Sequence, residues 1–493
     1  MHNQKQQETS DDLYARIVKG GGYVLAGKIG ERFINFIKII IIARLLPPEE
    51  FGVFGIVILS VATILAFSQT GFNTALIQHN KDIKGYLDTV WVAEIVRGGI
   101  ISFLLIIVSP MIGWFFNAPR VIPLIQIISF SLVIKGLTNI GIVYFIKDLE
   151  FKKITYLELI SQLISLIIGV FLAFKLRSAW ALVWASLSGE LVRCLLSYKF
   201  HLYRPRLSFN LSQAKDLFKF GRWMFGSSII IFLASNGDNA FVGKIFGVGA
   251  LGIYQMAFTI SNTPATEITH LISSIMMPAY SKIQTDKQRL GKLYLDVFEI
   301  IMAITIPLSI FIGFAATEII SAILGKKWAD AVIPLQILVI AGFIRALAAT
   351  AGPVFTGTGV PKLDFFMNVI RVLVMAIAIY PLTYYGGING TALAVVLSLI
   401  ATLPIWKKVI SVTNINWKDI FSRLWPSLFA GILIIPGILA CKLLTYSSHV
   451  ILLLESFVAV TIYLFFTWII GIKFQTGLYV YISRLFIIAK GKV

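Results

Sequence analysis

Apolar residues in this chain gather into long unbroken runs, not short alternating ones. Fourteen runs stand out, at roughly 20–43, 52–77, 89–116, 121–146, 154–174, 179–198, 218–243, 250–276, 294–324, 331–355, 363–384, 388–410, 424–444 and 449–470. Most reach the ~20 residues at which an α-helix spans a bilayer core. The polar stretches between them are mostly short, as antiparallel helix neighbours require. The alternation of an outer-membrane barrel strand is absent. The pattern predicts an all-α membrane protein of about fourteen transmembrane helices, without a large soluble domain. The polar segment Met1 to Asp12 lacks the basic flank, apolar core and small-residue cleavage site of a signal peptide, so the first run is expected to stay as a helix.

Composition strengthens this reading. Of 493 residues, 57% are hydrophobic and 14% charged, against about 25% charged in soluble domains. The net charge of +19 would suit nucleic acid, but its distribution points elsewhere. With the N-terminus inside, 27 Lys and Arg residues fall in cytoplasmic connections and 8 in outer ones. That asymmetry predicts N-in, C-in topology with an even number of spans, and it assigns most of the positive charge to orientation and to attraction for anionic lipid. Nucleic-acid binding is not expected. Cys194 and Cys441 sit alone inside expected helices and read as small buried residues.

A basic loop, Lys199 to Lys219, divides the chain into six runs before it and eight after. Sliding the second part back by 200 residues places Lys19 on Lys219, Gly21 on Gly221, Ile29 on Ile229 and Gly52 on Gly252. Phe51-Gly-Val-Phe then faces Leu251-Gly-Ile-Tyr. This faint repeat predicts a duplicated six-helix lobe, a recurrent transporter plan. The expected organisation is an N-terminal lobe (1–199), an inter-lobe loop (200–216), a C-terminal lobe (217–410), and two further helices with a tail (411–493).

Charges inside apolar runs carry the candidate chemistry, because an ionisable group at a helix centre costs roughly 2.5–3.5 kcal/mol on insertion scales. The first run carries Lys28, Glu31, Arg32, Asn35 and Lys38, and positions 28, 31, 35 and 38 share one helical face. That face either lines a hydrated cavity or is a local ion pair of Glu31 with snorkelling ends. The seventh run holds Asn236, Asp238 and Asn239. The 200-residue offset superposes Asp238 on Lys38, so the two are candidates for pairing between lobes; alternatively Asp238 takes up a coupling ion. Arg97, Lys135 and Arg345 are read as lacking a carboxylate within a turn on their own helices, and so as the cations of a cavity for an anionic ligand such as a pyrophosphate-linked glycan. Glu190 and Arg193 are read as an intrahelical pair, and Glu158 and Arg371 as end residues. Gln69, Asn73 and Asn262 are candidates for hydrogen bonds to sugars or between helices.

Enzyme signatures are missing. Gly357-Thr-Gly-Val-Pro-Lys lacks the order of a phosphate-binding loop, and the five histidines have no metal-ligand spacing. No metal or organic cofactor is expected. Without a nucleotide site, transport would draw on an H+ or Na+ gradient or on substrate supply. Prolines at 264, 307, 334, 353 and 404 allow bends within helices.

Several segments resemble the polysaccharide-transport branch of the multidrug/oligosaccharidyl-lipid/polysaccharide flippase superfamily, and within it Wzx-type flippases similar to colanic-acid exporters. They are Ala43-Arg-Leu-Leu-Pro-Pro-Glu-Glu-Phe-Gly, Tyr203-Arg-Pro-Arg-Leu-Ser-Phe, Phe220-Gly-Arg-Trp, Leu251-Gly-Ile-Tyr, Met277-Pro-Ala-Tyr-Ser-Lys-Ile-Gln, Leu324-Gly-Lys-Lys-Trp, Ile333-Pro-Leu-Gln and Gly359-Val-Pro-Lys. The resemblance implies alternating access by two six-helix lobes around a largely cationic cavity. It implies translocation of an undecaprenyl-pyrophosphate-linked oligosaccharide across the inner membrane for surface polysaccharide synthesis, with a polymerase and chain-length machinery as partners. It transfers no individual residue. Two alternatives stay open: an ion-coupled multidrug exporter of the same superfamily, which favours a more acidic cavity, and a membrane glycan polymerase or ligase, which needs a sizeable catalytic outer loop.

Overall fold

The computed structural model describes residues 10–68, 76, 83–147, 150–360 and 362–474. Every regular element among the described residues is helical. The long helices are α1 (Ser10–Leu45), α2 (Pro48–Phe67), α3 (Lys84–Phe115), α4 (Val121–Leu137), α5 (Phe151–Leu176) and α6 (Trp180–Phe200). They continue as α7 (Leu211–Lys282), α8 (Lys287–Phe314), α9 (Val332–Ala349), α10 (Lys362–Ile400), α11 (Trp417–Ile432), α12 (Ile434–Lys442) and α13 (Ser448–Phe474). Among the described residues nine helical stretches are long and apolar enough to cross a membrane. The all-α, multi-span class therefore holds, while a count of fourteen is not established.

Two expected boundaries fall inside single elements. α7 joins two expected runs at Gly247 (φ +78°) and α10 joins two at Gly387 (φ +57°). Both are left-handed positions that a side chain would strain, so the chain turns there with almost no connecting loop. The polypeptide forms two compact units, residues 1–232 with 243–249, and residues 233–242 with 250–493. The basic loop at 200–216 thus lies within the first unit.

In the first unit the Pro-Pro-Glu-Glu segment sets a corner. Residues before proline avoid the α region, so α1 stops at Leu45, and Pro48 opens α2 where its missing N–H costs nothing. Glu50, in the first turn of α2, is buried. It accepts the Ala179 N–H at 2.7 Å and Arg120 Nη2 at 2.5 Å, tying together the starts of α2, α4 and α6. α3 lies along α4, and α5 lies along both α6 and α1. The α3–α4 approach is close enough that a Cβ on Gly98 would stand 2.5 Å from the Leu132 carbonyl oxygen, and one on Gly136 would stand 2.6 Å from that of Glu94. Small residues at such crossings are how helices pack without a hydrophobic driving force between them.

In the second unit Tyr294, Phe298, Met302, Phe355 and Trp406 centre the core. The last helices are pinned to it by polar contacts: Arg423 of α11 bridges Glu299 and Asp296 of α8, Lys442 of α12 meets Glu318 at 2.9 Å, and the Tyr463 hydroxyl of α13 donates to the Ala303 carbonyl at 2.6 Å.

Candidate functional site

Each unit holds its own cluster of intramembrane charge. In the first, a cavity of about 300 Å³ opens between α1, α2, α4, α5 and α6. Its charged lining is Lys38, Lys135, Glu158, Glu190 and Arg193, interleaved with Ser131, Ser161, Ser165, Ser186 and Gln162. Lys38 Nζ donates to Ser165 Oγ at 3.2 Å, and Arg193 bonds Glu158 at 2.7 Å. Glu190 Oε2 is buried without a hydrogen-bond partner, and the Lys135 ammonium makes no hydrogen bond or ion pair among the described residues. The cavity therefore carries one ion pair whose arginine Nε stays buried without a partner, a lysine held by a hydroxyl, and one cation and one carboxylate left open. Hydroxyls, an amide and both signs of charge can bind a polar ligand that both donates and accepts; a wholly apolar one would leave these groups unpaired. Its volume stands at the low end of ligand pockets.

The first-helix face resolves into parts. Lys28 pairs with Glu31 at 2.9 Å, the local ion pair named as one of its two readings, while Lys38 ten residues on lines the cavity. Asn35 is half-buried and Arg32 exposed. Gln69 and Asn73 lie outside the described residues. The expectation for Arg97 needs correction: Glu94 stands three residues earlier on the same helix and bonds it at 2.8 Å, and a second guanidinium nitrogen reaches Ser68 Oγ at 3.3 Å. Arg97 is a paired residue outside the cavity lining. The expected Glu190–Arg193 pair is also replaced. Arg193 reaches across to Glu158, which is an interior residue and not an end one, and this frees Glu190 to face the cavity.

In the second unit Asp238 is fully buried in the first half of α7. Its Oδ2 accepts the Tyr254 hydroxyl at 2.8 Å, and its Oδ1 accepts the Asn239 N–H at 2.9 Å and Asn239 Nδ2 at 3.3 Å. Arg345 of α9 and Arg371 of α10 lie within electrostatic reach of the carboxylate. Arg345 Nη1 donates to Asn262 Oδ1 at 2.5 Å, and the guanidinium stands 5.0 Å over the Phe258 ring. One carboxylate thus faces two guanidiniums, and the Nε atoms of both arginines and Asn239 Oδ1 are buried without partners. Asn236 is half-buried nearby on the same helix. Arg371, expected at a helix end, is an interior member of this cluster.

Sequence reading passed over Tyr254, Arg371, Glu158 and Glu190 as site residues. A second repeat would have helped. α4 and α9 both open with Val-Ile-Pro-Leu, and Gln126 and Gln336 each stand nine residues before a cation, Lys135 and Arg345. The two glutamines also act alike, donating to the preceding long helix at Ser109 and at the Gly313 carbonyl. The tetrapeptides stand 211 residues apart and the Gln–cation pairs 210, so the gapless comparison at 200 residues misses them.

A family model described as "Polysaccharide biosynthesis protein" matches residues 41–333. The chain is 24% identical over 369 residues to the lipopolysaccharide biosynthesis protein WzxC of Escherichia coli K12, covering 74% of each. It is 26% identical over 327 residues to the teichuronic acid biosynthesis protein TuaB of Bacillus subtilis 168, covering 65% of this chain and 67% of TuaB. Among solved structures it is similar to the lipid II flippase MurJ in an inward closed conformation, with a TM-score of 0.73 at 17% identity over 92% of this chain and 99% of that one. It is also similar to an inward-facing MATE-family multidrug transporter, with a TM-score of 0.61 at 15% identity over 78% and 96%. These structural likenesses establish the fold.

Proposed function

Because this chain belongs to the polysaccharide biosynthesis protein family, we propose that it is a flippase carrying a polyprenyl-pyrophosphate-linked oligosaccharide across a bacterial inner membrane, and that it performs transport without covalent catalysis. The observation that carries this reading is the first-unit cavity, where Lys135 and Glu190 stand open among serines. Lys135, with Lys38 beside a hydroxyl, suits an acidic group of the ligand; Glu190 and the serines suit sugar hydroxyls. A cationic drug would leave Lys135 opposed by a like charge, so the mixed lining favours glycan over drug.

In this reading the N- and C-termini are cytoplasmic, the lipid tail stays in the bilayer, and alternating access exposes the bound head group to each side. The translocated unit passes to a polymerase and its chain-length machinery. An H+ or Na+ gradient supplies the driving force. Glu31 is occupied by Lys28, and Asp238 is opposed by two guanidiniums that compete with any cation, so the coupling ion is assigned to Glu190.

The test is reconstitution into liposomes with a fluorescent lipid-linked oligosaccharide under an imposed gradient. Protein-dependent protection of the label from an external reductant supports the reading. Absence of translocation, together with efflux of a cationic drug, would overturn it.

A further inference from the structure

The connection between α6 and α7 does not hang free. Its residues 201–210 are laid across one end of the first unit by a set of directed contacts. The Tyr203 hydroxyl donates to Asp88 Oδ1 at 2.6 Å, and the Arg206 main-chain N–H donates to the same oxygen at 2.7 Å. The Asn210 N–H reaches Thr89 Oγ1 at 3.2 Å, and Asn139 Nδ2 donates to the Tyr203 carbonyl at 2.7 Å. His201 packs against Tyr144 and Phe145, with ring centroids 5.7 and 5.2 Å apart, and Tyr203 packs onto the cluster of Ile83, Leu87 and Val143. Asp88 and Thr89 stand near the start of α3, and Asn139 just past the end of α4. The segment is therefore held at the first turns of α3, a helix long and apolar enough to cross a membrane.

What it presents outward is unusual for a segment in water. Leu202 is 92% exposed and Leu207 86% exposed. Between them stand the exposed Arg204 and Arg206, and Lys199 is exposed one turn back on α6. The Arg206 guanidinium makes no hydrogen bond among the described residues, and Arg204 spends one nitrogen on the carbonyls of His201 and Tyr203. Two leucines flanking two arginines, fixed at the start of a helix long and apolar enough to cross a membrane, match an interfacial membrane segment: apolar side chains sink into the headgroup–acyl boundary, and cations meet lipid phosphates. Each basic residue near an anionic leaflet contributes about fivefold to such binding.

We propose that residues 201–209 form a strap that docks on anionic phospholipid headgroups, Leu202 and Leu207 inserting between the lipids and Arg204 and Arg206 binding their phosphates. The strap anchors the helix ends that carry Asp88 and Asn139 to the leaflet. The inference rests on the membrane-spanning reading of α6 and α7 and is independent of what the protein carries.

The test uses the full chain in nanodiscs. Ser208→Cys, on the exposed strap, is labelled with an environment-sensitive fluorophore; Cys194 and Cys441 are buried and stay unlabelled in the folded protein. Discs contain phosphatidylcholine alone or mixed with phosphatidylglycerol. The label is expected to be shielded from aqueous iodide and quenched by brominated lipid, more strongly with phosphatidylglycerol. Arg204→Gln with Arg206→Gln should abolish the phosphatidylglycerol increment, and Leu202→Ser with Leu207→Ser should lower lipid quenching in both compositions. The Arg206 contact to Asp88 is through main chain, so the arginine variants keep the strap attached, and unchanged thermal unfolding in phosphatidylcholine verifies this. A label equally open to iodide in both compositions refutes the proposal and leaves the surface to a soluble acidic partner. Lipid quenching indifferent to phosphatidylglycerol and to the arginines refutes the phosphate contacts. Translocation assays on the same variants report separately on the flippase reading.

Discussion

Glu50 supports a prediction whose magnitude can be worked contact by contact. Its side chain is 9% exposed, while that of its partner Arg120 is 68% exposed. The ion pair is thus half in solvent, and screened pairs of this kind contribute about 0–1 kcal/mol. The hydrogen bond from the buried Ala179 N–H is different. It ends on a charged acceptor, worth about 1.5–3 kcal/mol, and its loss strands a donor with no water to replace the carboxylate. A carboxylate in the first turn of α2 adds about 0.3–1 kcal/mol through the helix dipole. Glu50→Ala should therefore cost roughly 2–4 kcal/mol, and Arg120→Gln less than about 1 kcal/mol. For a unit of this size each kcal/mol moves the midpoint by about 2–4 °C, so the expected drops are roughly 5–15 °C and at most about 4 °C. Thermal unfolding in detergent, followed by a thiol-reactive dye that reaches Cys194 and Cys441 only on unfolding, measures both. Equal drops for the two variants would show that the ion pair, not the Ala179 contact, holds this corner, and the reasoning would fail.

Three further outcomes are expected. Lys135→Gln should weaken binding of an acidic lipid-linked glycan by roughly ten- to a hundredfold if a charge-assisted contact is lost, while Glu190→Gln should uncouple transport from the gradient; both are read in the liposome assay, and a gradient-dependent Glu190→Gln protein would move the coupling role elsewhere. Asp238→Asn keeps an acceptor for the Tyr254 hydroxyl but removes the negative charge facing Arg345 and Arg371, so it should destabilise more than Tyr254→Phe, whose cost is about 1.5–3 kcal/mol; the reverse order in thermal unfolding would deny Asp238 its role as counter-ion. Burial, helped by the adjacent Asp88 carboxylate, holds the Tyr203 phenol well above its ordinary range, so its contribution to stability is complete below about pH 10 and disappears only as the pH climbs through the raised folded-state value; the stability difference between the parent protein and Tyr203→Phe should be constant from neutral to mildly alkaline pH, and a decline across that window would contradict the buried hydrogen bond.

The helical class was legible because lipid-spanning runs are long and compositionally blunt. The corner at Pro47 and Pro48 was legible for a local reason, since proline restricts its predecessor whatever the surroundings. Side-chain pairing was not, because it depends on which face of a neighbouring helix is presented. Arg193 has Glu190 within a turn of its own helix, yet it bonds Glu158 across α5 and α6. That exchange turns Glu190 from half of a pair into an open cavity carboxylate. Arg97 shows the opposite error, for its partner Glu94 was in plain view at helical spacing. Tyr254 entered the sequence reading only as the last residue of Leu251-Gly-Ile-Tyr, with no signal of a polar role: a tyrosine in an apolar run reads as interfacial or core until its hydroxyl is seen on Asp238.

The Lys135–Arg345 correspondence shows what the duplicated pattern does with charge. Both cations follow a shared Gln by nine residues on helices that begin with the same tetrapeptide. In the second unit the cation is met by Asn262 and by the field of the buried Asp238, with an aromatic ring beneath it. That arrangement balances its charge from within the protein. In the first unit the equivalent cation has serines and an unpartnered carboxylate for neighbours, across an open volume. A ligand arriving there gains contacts that the protein does not already make, whereas one arriving at Arg345 must compete with Asp238 and Asn262. Differential contact is what allows a ligand to bias a conformational equilibrium. In the proposed function the first-unit cavity is thus where substrate binding would have leverage, and the second-unit cluster would serve as internal support, its opposed charges joining α7, α9 and α10. Neutralising the second cluster should therefore lower stability before it alters selectivity, and neutralising Lys135 should alter selectivity at nearly constant stability. Measuring both quantities on Asp238→Asn and Lys135→Gln separates the two roles, and a selectivity change confined to Asp238→Asn would reverse the assignment.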